Sequence, residues 1–270
     1  SLAAGGKVSI AALIAAGLIP AALLTICMLV AAYVVAIRRG YPAGIFPGKA
    51  AVLRSAAAAL PGLFVVVIII TGILSGVFTA TESAAIAVIY AILLSTLLYR
   101  SLKWEHLVKA AAKAVKTTGI VLLLIGVSNT FGYLISLYSV AELTGKALSS
   151  ITTTPWMVFL LVNVILFVLG TFLDMAATIL ICTPIFLPIC MQYGMGPVQF
   201  GMVMLINCAL GLNTPPVGTT QFVGCAIGGV SIGTVMRTIW PFYGALIAAL
   251  FLVTYVPAFS QFLPDYFLGN

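Results

Sequence analysis

Two features of this sequence have residue types that could bind an ion or a solute, and Asp174 is the first. It lies between two apolar segments, 155–169 and 175–188, whereas the other four acidic residues lie at predicted helix ends or interfaces. An ionisable side chain inside a membrane is costly, so it marks a functional-site hypothesis by default. The competing interpretation is that Asp174 only caps the helix that begins at Met175, and the two roles are compatible.

The second feature is the string Gly211-Leu-Asn-Thr-Pro-Pro-Val-Gly-Thr-Thr220. Its two adjacent prolines remove two backbone donors and prevent a regular helix. At membrane depth such backbone survives only if it is buried or lines a wet cavity. The freed carbonyls and threonine hydroxyls are hard oxygen ligands of the kind that coordinate Na⁺ in secondary transporters, and flanking helix N-termini favour an anion. A simple proline kink is the alternative, but the full string is more specific than one proline.

Together these features predict a single Na⁺ site, formed between the elbow of a helical hairpin and a broken helix. A carboxylate, a hydroxyl and freed carbonyls would be its ligands, and neither a transition metal nor an organic cofactor is expected. The residues predicted to bind the ion are Asp174, Thr214, Val217 (through its carbonyl), Gly211 and Asn213. The residues predicted to form the hairpin and the substrate site are Gly170, Thr171, Thr178, Pro215, Pro216, Gly218 and Thr219.

The composition indicates that lipid is the solvent around these features. Of 270 residues, 63% are hydrophobic and 6% are charged, with a mean hydropathy of +1.26. A soluble domain has about 25% charged residues. The apolar runs are continuous rather than alternating, which favours an all-α integral membrane protein over a β-barrel. The net charge of +7 is spread over loops and is typical of membrane topology rather than of nucleic-acid binding.

The chain divides into predicted elements of three kinds. Full spans are expected at 8–37, 60–78, 82–99, 117–137 and 240–262, interfacial segments at 40–58 and 101–116, and a polar connector at 138–154. The pattern then changes to a re-entrant hairpin over 155–188 and a broken helix over 198–227. A capping box is expected at Thr79 and Glu82. The predicted domains are 1–58, 59–116, 117–153, 154–227 and 228–270, with the hairpin and the broken helix together in 154–227.

The distribution of basic residues predicts the topology. If 38–58, 100–116 and Arg237 face the cytoplasm, ten of the twelve Lys and Arg residues lie inside, and only Lys7 and Lys146 lie outside. The positive-inside rule asks for this bias, so 79–82 and 138–154 are expected in the periplasm. The five cysteines have apolar neighbours and no CxxC spacing, and we expect them to be small buried hydrophobes.

Several motifs resemble the large membrane subunit of TRAP (tripartite ATP-independent periplasmic) transporters, in order and over nearly the whole chain. These are Ser75-Gly-Val-Phe-Thr-Ala-Thr-Glu-Ser83, the elbow 170–178 with Thr183-Pro184, Gly211-Leu-Asn-Thr-Pro-Pro-Val-Gly218, and the ending Trp240-Pro241-Phe242 with Thr254-Tyr255-Val256-Pro257. Ala80 stands where a proline is common in that family.

The resemblance implies an ion-transporter-type inverted-repeat fold with an elevator-like mobile domain. It also implies Na⁺-coupled import of an acidic solute such as a sialic acid or a C4-dicarboxylate into the cell across the bacterial inner membrane. The implied partners are a periplasmic substrate-binding protein and a small membrane subunit. Because one hairpin and one broken helix are present, we expect the first repeat to be missing and the piece alone to be inactive. The alternatives are a related binding-protein-independent anion or citrate carrier, and a membrane enzyme, which the absence of an intramembrane His or paired acids disfavours.

Overall fold

The computed structural model describes residues 9–42, 44, 47–216 and 218–268, and these form helices with no strand among them. This confirms the all-α prediction. A π-helical turn, Leu94–Leu98, follows the helix that ends at Leu93. The helices are α1 (Ile10–Arg39), α2 (Lys49–Leu74), α3 (Ala80–Leu93), α4 (Trp104–Leu137), α5 (Val140–Ile151), α6 (Pro155–Phe172), α7 (Met175–Gln192), α8 (Pro197–Leu212), α9 (Thr219–Gly228), α10 (Ile232–Thr238), α11 (Trp240–Tyr255) and α12 (Ala258–Leu268).

Helix length and composition agree with a protein that crosses a membrane several times. Within the described ranges, six helices are long and apolar enough to span, and up to eight spans result if each of two bent pairs counts as one. The pair α9–α10 is bent by 108° and the pair α11–α12 by 56°. Many large apolar side chains on these helices face outward, which suits lipid as the surrounding solvent.

The chain forms two compact units. One unit contains the described residues up to Arg39 and from Val121 onward, and the other is Gly40–Ile120. Helix α4 begins in the second unit and ends in the first.

In the Gly40–Ile120 unit, α2 and α3 form an antiparallel pair joined by a short turn. The Tyr90 hydroxyl donates to the Pro61 carbonyl at 3.0 Å, and its ring lies 5.9 Å from that of Phe64. The predicted capping box is confirmed: the Thr79 N–H donates to Glu82 Oε2 at 2.8 Å, and the Glu82 N–H donates to Thr79 Oγ1 at 3.3 Å. Both orphan donors at the start of α3 are thereby satisfied.

The α2–α3 turn depends on the small size of Gly72. A Cβ on Gly72 would lie 2.9 Å from Phe78 Cδ2 and 3.2 Å from Ser83 Oγ, and Ser83 is fully buried. We therefore expect Gly72→Ala to lower the free energy of unfolding by about 1–3 kcal/mol through overpacking. Gly62→Ala is the matched control, because nothing lies within 4 Å of a Cβ there and alanine favours a helix by up to about 1 kcal/mol. Thermal unfolding in detergent should move in opposite directions for the two variants, and equal midpoints would contradict the tight turn.

In the other unit, α8 lies at the centre of a core shared with α6, α7 and α11. The side chains of Phe200, Val203 and Leu210 on α8 are almost entirely buried, as are Leu166 on α6 and Val253 on α11. Helix α1 packs on the same core: a Cβ on Gly201 would lie 3.0 Å from Leu13 Cδ2, so the two helices approach closely there. This unit holds the hairpin and the broken helix.

Buried amides link the core helices. Gln199 Nε2 on α8 donates to the carbonyls of Val253 and Thr254 on α11 at 3.1 and 2.9 Å. Asn163 Nδ2 on α6 donates to Thr254 Oγ1 at 3.3 Å, and Asn207 Nδ2 on α8 donates to Asn163 Oδ1 at 2.7 Å. Interhelical hydrogen bonds of this kind hold membrane helices in register, because hydrocarbon offers the amides no other partner.

Two predicted interfacial segments are continuous with the helices that follow them. Helix α2 begins at Lys49, so the later half of 40–58 is helical and continuous with the span predicted from residue 60. Helix α4 runs unbroken over 34 residues, which joins the separately predicted 101–116 and 117–137. Both segments are rich in alanine, the strongest helix former, and α2 continues through Pro61 next to the predicted boundary.

Two further predicted elements differ from the structure. The connector 138–154 is largely helix α5, stabilised on its exposed face by an ion pair at 2.8 Å between Glu142 and Lys146, four residues apart. The last span ends at Tyr255 rather than at residue 262, and α12 continues at an angle. Pro257 explains the break, because a proline disfavours helical backbone at the residue before it.

Candidate functional site

The hairpin is present as α6, a two-residue elbow at Leu173 and Asp174, and α7. Its legs are longer than predicted, with 18 residues each, and each is long and apolar enough to span a membrane. The prediction of two short legs, from which a re-entrant hairpin was inferred, was therefore wrong, and re-entry stays a prediction. Gly170 and Thr171 therefore lie in the last turn of α6 rather than in the elbow, where the Thr171 hydroxyl donates to the Val168 carbonyl at 2.7 Å. The interruption that the sequence suggested at Gly170 begins three residues later, because glycine and threonine are tolerated in a membrane helix whose neighbours pack against them.

Asp174 is the N-cap of α7. Its Oδ2 accepts a hydrogen bond from the Ala176 N–H at 3.1 Å. Asp174 is exposed when only the described residues are considered. The Asp174 carbonyl accepts from both the N–H and the hydroxyl of Thr178 at 2.9 Å, and Thr178 is fully buried. The capping interpretation is confirmed. One carboxylate oxygen caps the helix, which leaves the other oxygen and the negative charge available to a cation.

The predicted break in the second element is also confirmed. Helix α8 ends at Leu212, α9 begins at Thr219, and the Pro215–Pro216 peptide bond between them is cis. Gly218 has φ of +29° and is buried, a backbone conformation that favours glycine. Val217, predicted to offer its carbonyl to the ion, lies outside the described residues.

The hairpin and the broken helix contact each other at Gly170 of α6 and Gly211 of α8. A Cβ on Gly211 would lie 2.4 Å from the carbonyl carbon of Gly170, and a Cβ on Gly170 would lie 3.7 Å from the Cα of Gly211. The backbones of α6 and α8 are thus in direct contact, which only glycine permits at position 211. Because α6 and α8 cross at these glycines, the elbow that begins three residues after Gly170 lies at the same end of the core as the turn that follows Gly211.

Polar groups of the turn are held by the end of α8. The Thr214 hydroxyl donates to the Leu210 carbonyl at 2.8 Å, and Asn213 Nδ2 donates to the Ala209 carbonyl at 2.9 Å. The hydroxyl oxygen of Thr214 retains its lone pairs, as does the amide oxygen of Asn213. Both can therefore act as ligands without breaking these hydrogen bonds. Thr219 is exposed at the first position of α9.

Sequence reasoning missed Tyr243 on α11. This residue is almost fully buried and its hydroxyl donates to the Asn213 carbonyl, so α11 reaches the break directly. It packs edge-on against Trp240 with ring centroids 5.9 Å apart. Tyr243 follows the Trp-Pro-Phe motif, and a polar aromatic residue within an apolar span is the signal that could have indicated it.

Gln221 was missed as well. It lies on the first turn of α9, is 6% exposed, and its Nε2 donates to Met236 Sδ on α10 at 3.1 Å. Within the described part of the chain, its Oε1 is buried without a hydrogen-bond partner, and the same holds for Oδ1 of Asn207, one of the buried amides that link the core helices. An uncharged amide inside an apolar helix is also a polar group that needs a partner, and this could have indicated Gln221 and Asn207 from the sequence. Only charged side chains were considered as intramembrane sites.

Oxygen atoms dominate this arrangement and suit a hard monovalent cation. Among the described residues, no cluster of three or more His, Cys, Asp or Glu side chains could hold a metal ion. Four of the five cysteines, Cys182, Cys190, Cys208 and Cys225, are buried, which confirms the prediction for them. Cys27 on α1 is only partly buried, so the prediction of a buried residue was wrong there. Carbonyl, hydroxyl, amide and carboxylate oxygens together fit Na⁺, which forms no strong bonds to sulfur or imidazole.

Comparison with known proteins shows a clear relationship. The family model "Tripartite ATP-independent periplasmic transporter, DctM component" matches residues 2–259. The chain is 40% identical over 267 residues to the uncharacterized protein YgiK of Salmonella typhimurium, covering 99% of this chain and 61% of that protein. It is 35% identical over 264 residues to the C4-dicarboxylate TRAP transporter large permease protein DctM of Pseudomonas aeruginosa, covering 98% and 62%.

A third relative is the sialic acid TRAP transporter large permease protein SiaM of Vibrio cholerae, 33% identical over 261 residues, which cover 97% of this chain and 61% of that protein. The chain thus spans about three fifths of the length of these curated relatives. Since the family match extends over almost every described helix, the chain belongs to the DctM component family of TRAP transporters and is a multi-pass protein of the bacterial inner membrane.

Proposed function

We propose that this chain contributes to Na⁺-coupled import of an acidic organic solute that a periplasmic substrate-binding protein delivers, with a small membrane subunit as a further partner. The solute class, a sialic acid or a C4-dicarboxylate, follows the names of the relatives DctM and SiaM. The observation that carries the proposal is the contact between the hairpin and the broken helix at Gly170 and Gly211. Substrate and ion sites of secondary transporters lie where discontinuous helices meet.

On the ion side, the proposal uses the end of α8. The last carbonyls of a 16-residue helix carry the negative end of its dipole and favour a cation beside Asn213 and Thr214. Asp174 would add a full negative charge from the elbow. These groups would bind Na⁺, whose gradient supplies the free energy for uptake.

On the substrate side, the proposal uses the start of α9. Among the described residues no side chain caps this helix at Gly218, and the N–H groups of a helix's first turn are suited to bind an anion. The carboxylate of an acidic solute is such an anion. The C-terminal end of α8 would therefore bind the cation, and the N-terminal end of α9 would bind the anion close to it. The attraction between the two ions would strengthen the binding of each.

The packing of the core supports an elevator-like movement. Helices α6, α7, α8 and α11 share one buried core, and buried amides link α6, α8 and α11. Such a body resists internal deformation because its interior is close-packed. We therefore propose that these helices move together and carry the site with them.

Reconstitution tests the proposal. The natural full-length protein, its small membrane subunit and its binding protein would be placed in proteoliposomes, and uptake of radiolabelled sialic acid and succinate measured with and without an inward Na⁺ gradient. We expect accumulation only with both the gradient and the loaded binding protein.

Accumulation without the binding protein would favour the binding-protein-independent carrier. Release of a chemically altered solute would favour an enzyme. Equal accumulation in K⁺ and Na⁺ gradients would contradict Na⁺ coupling.

A further inference from the structure

The amide oxygen of Gln221 faces a small space beside Gly218. A Cβ built on Gly218 would lie 3.2 Å from the Thr214 carbonyl oxygen and 3.4 Å from Gln221 Oε1. The two oxygens therefore border the same point, one from the turn after α8 and one from the first turn of α9. Glycine at position 218 places no side-chain atom of its own at this point.

The orientation of the amide is fixed by its surroundings. Gln221 Nε2 donates to Met236 Sδ at 3.1 Å. A thioether sulfur has no hydrogen to donate, so the opposite orientation would place an oxygen against an acceptor. Oε1 therefore points away from Met236 and toward the turn.

A helix-capping role does not account for this oxygen. Gln221 is the third residue of α9, a position from which a glutamine side chain can accept from the backbone N–H of the N-cap residue. Among the residues that the structure describes, Oε1 has no hydrogen-bond partner, and Gln221 is 6% exposed. Leaving a buried amide oxygen without a partner is unfavourable, so a positively charged or donating group is expected to satisfy it.

We propose that Gln221 is a direct side-chain ligand of Na⁺, through Oε1, at a point shared with the Thr214 carbonyl. This inference rests on the Na⁺ coupling proposed above and adds a residue from α9 to its ligand set. A neutral amide oxygen offers a strong dipole without a charge, which suits a site that must release its cation in each cycle. Met236 on α10 positions the amide, so the bent α9–α10 pair contributes to the geometry of the site.

The test measures binding directly, in the natural full-length protein purified in detergent. Its thermal unfolding midpoint would be followed against NaCl at constant ionic strength, with choline replacing Na⁺, to give an apparent Kd from ligand stabilisation. We expect Na⁺ to raise the midpoint and K⁺ not to do so. In Gln221→Met, which keeps chain length and flexibility but has no oxygen, the apparent Kd should rise about tenfold.

Three variants separate a ligand from a structural residue. Gln221→Glu keeps an oxygen at the site and should retain or improve Na⁺ affinity, whereas a purely structural amide would not be rescued by a carboxylate. Met236→Leu removes the acceptor that orients the amide and should weaken Na⁺ binding less than Gln221→Met. Gln192→Met is the matched control, because Gln192 is an exposed glutamine at the end of α7, and no change is expected.

Each outcome decides a separate point. If Na⁺ stabilises the natural protein and Gln221→Met with the same apparent Kd, the Gln221 proposal is wrong and Na⁺ coupling stands. If Na⁺ has no effect on the natural protein beyond that of K⁺, both proposals are wrong. If Gln221→Met does not fold, Gln221→Glu decides, since a weaker Na⁺ response in that variant would overturn the ligand role.

Discussion

We expect Gly211→Ala, which adds one methyl group, to be among the most destabilising glycine substitutions in this chain. Its Cβ would lie 2.4 Å from the carbonyl carbon and 2.5 Å from the carbonyl oxygen of Gly170. These are backbone atoms of a neighbouring helix, so no side-chain rotation can relieve the overlap. We expect α6 and α8 to separate, with a loss of about 3 kcal/mol or more in the free energy of unfolding.

Gly170→Ala provides a matched control at the same crossing. Its Cβ would lie 3.5 Å from the Asn207 carbonyl oxygen and farther from everything else, which is ordinary van der Waals contact. Its unfolding midpoint should stay close to that of the natural protein, whereas Gly211→Ala should unfold at a clearly lower temperature or fail to fold. If the two variants were equally stable in detergent, the backbone contact between α6 and α8 would be wrong.

The asymmetry between Gly170 and Gly211 shows what the sequence could and could not predict. Both glycines were assigned to the site from their motifs, and the structure brings them into contact. Which of the two is intolerant of a methyl group depends on the direction of each Cα–Cβ bond across the crossing. That direction is a property of the packed pair of helices, and single-sequence patterns do not contain it.

Element types were predictable because apolar length, proline and capping signals are local. The break at Pro215–Pro216 and the cap at Thr79 are fixed by residues within a few positions, and both are present. A break in secondary structure at residue 117 was not predictable, because the change from lysine-rich to apolar composition alters the surroundings of a helix and not its backbone. Helix α4 runs through this position without interruption.

The hydrogen bonds of the buried amides could not be predicted from neighbouring residues in the sequence, because they join separate helices. Gln221 and Met236 are 15 residues apart, and Asn163 and Thr254 are 91 apart. Each pairing depends on how separate helices pack, so the sequence can indicate that a lone amide needs a partner but not which one. The helix cap at Asp174 is local and was predicted from the sequence, whereas the proposed binding of an ion by the same side chain depends on its charge.

Asp174→Asn should separate these two roles of Asp174. Asparagine caps a helix about as well as aspartate, so the hydrogen bond from the Ala176 N–H is kept and stability should change little. The negative charge is lost. Attraction between a carboxylate and a cation about 4 Å away is worth about 1 kcal/mol in water and about 4 kcal/mol near a protein surface. The Na⁺ concentration that half-saturates uptake should therefore rise at least about fivefold.

Glu142→Gln is the matched control, since it removes an exposed carboxylate from α5 that is paired with Lys146. Uptake in the reconstituted complex would be measured for both variants over a range of Na⁺ concentrations at saturating solute. Asp174→Ala adds a second comparison, because it removes the cap and the charge together and should lose about 1 kcal/mol of stability as well. A Na⁺ response in Asp174→Asn that matches the natural protein and Glu142→Gln would reduce Asp174 to a helix cap. The cation would then be held by the neutral oxygens of the break alone, among them those of Asn213, Thr214 and Gln221.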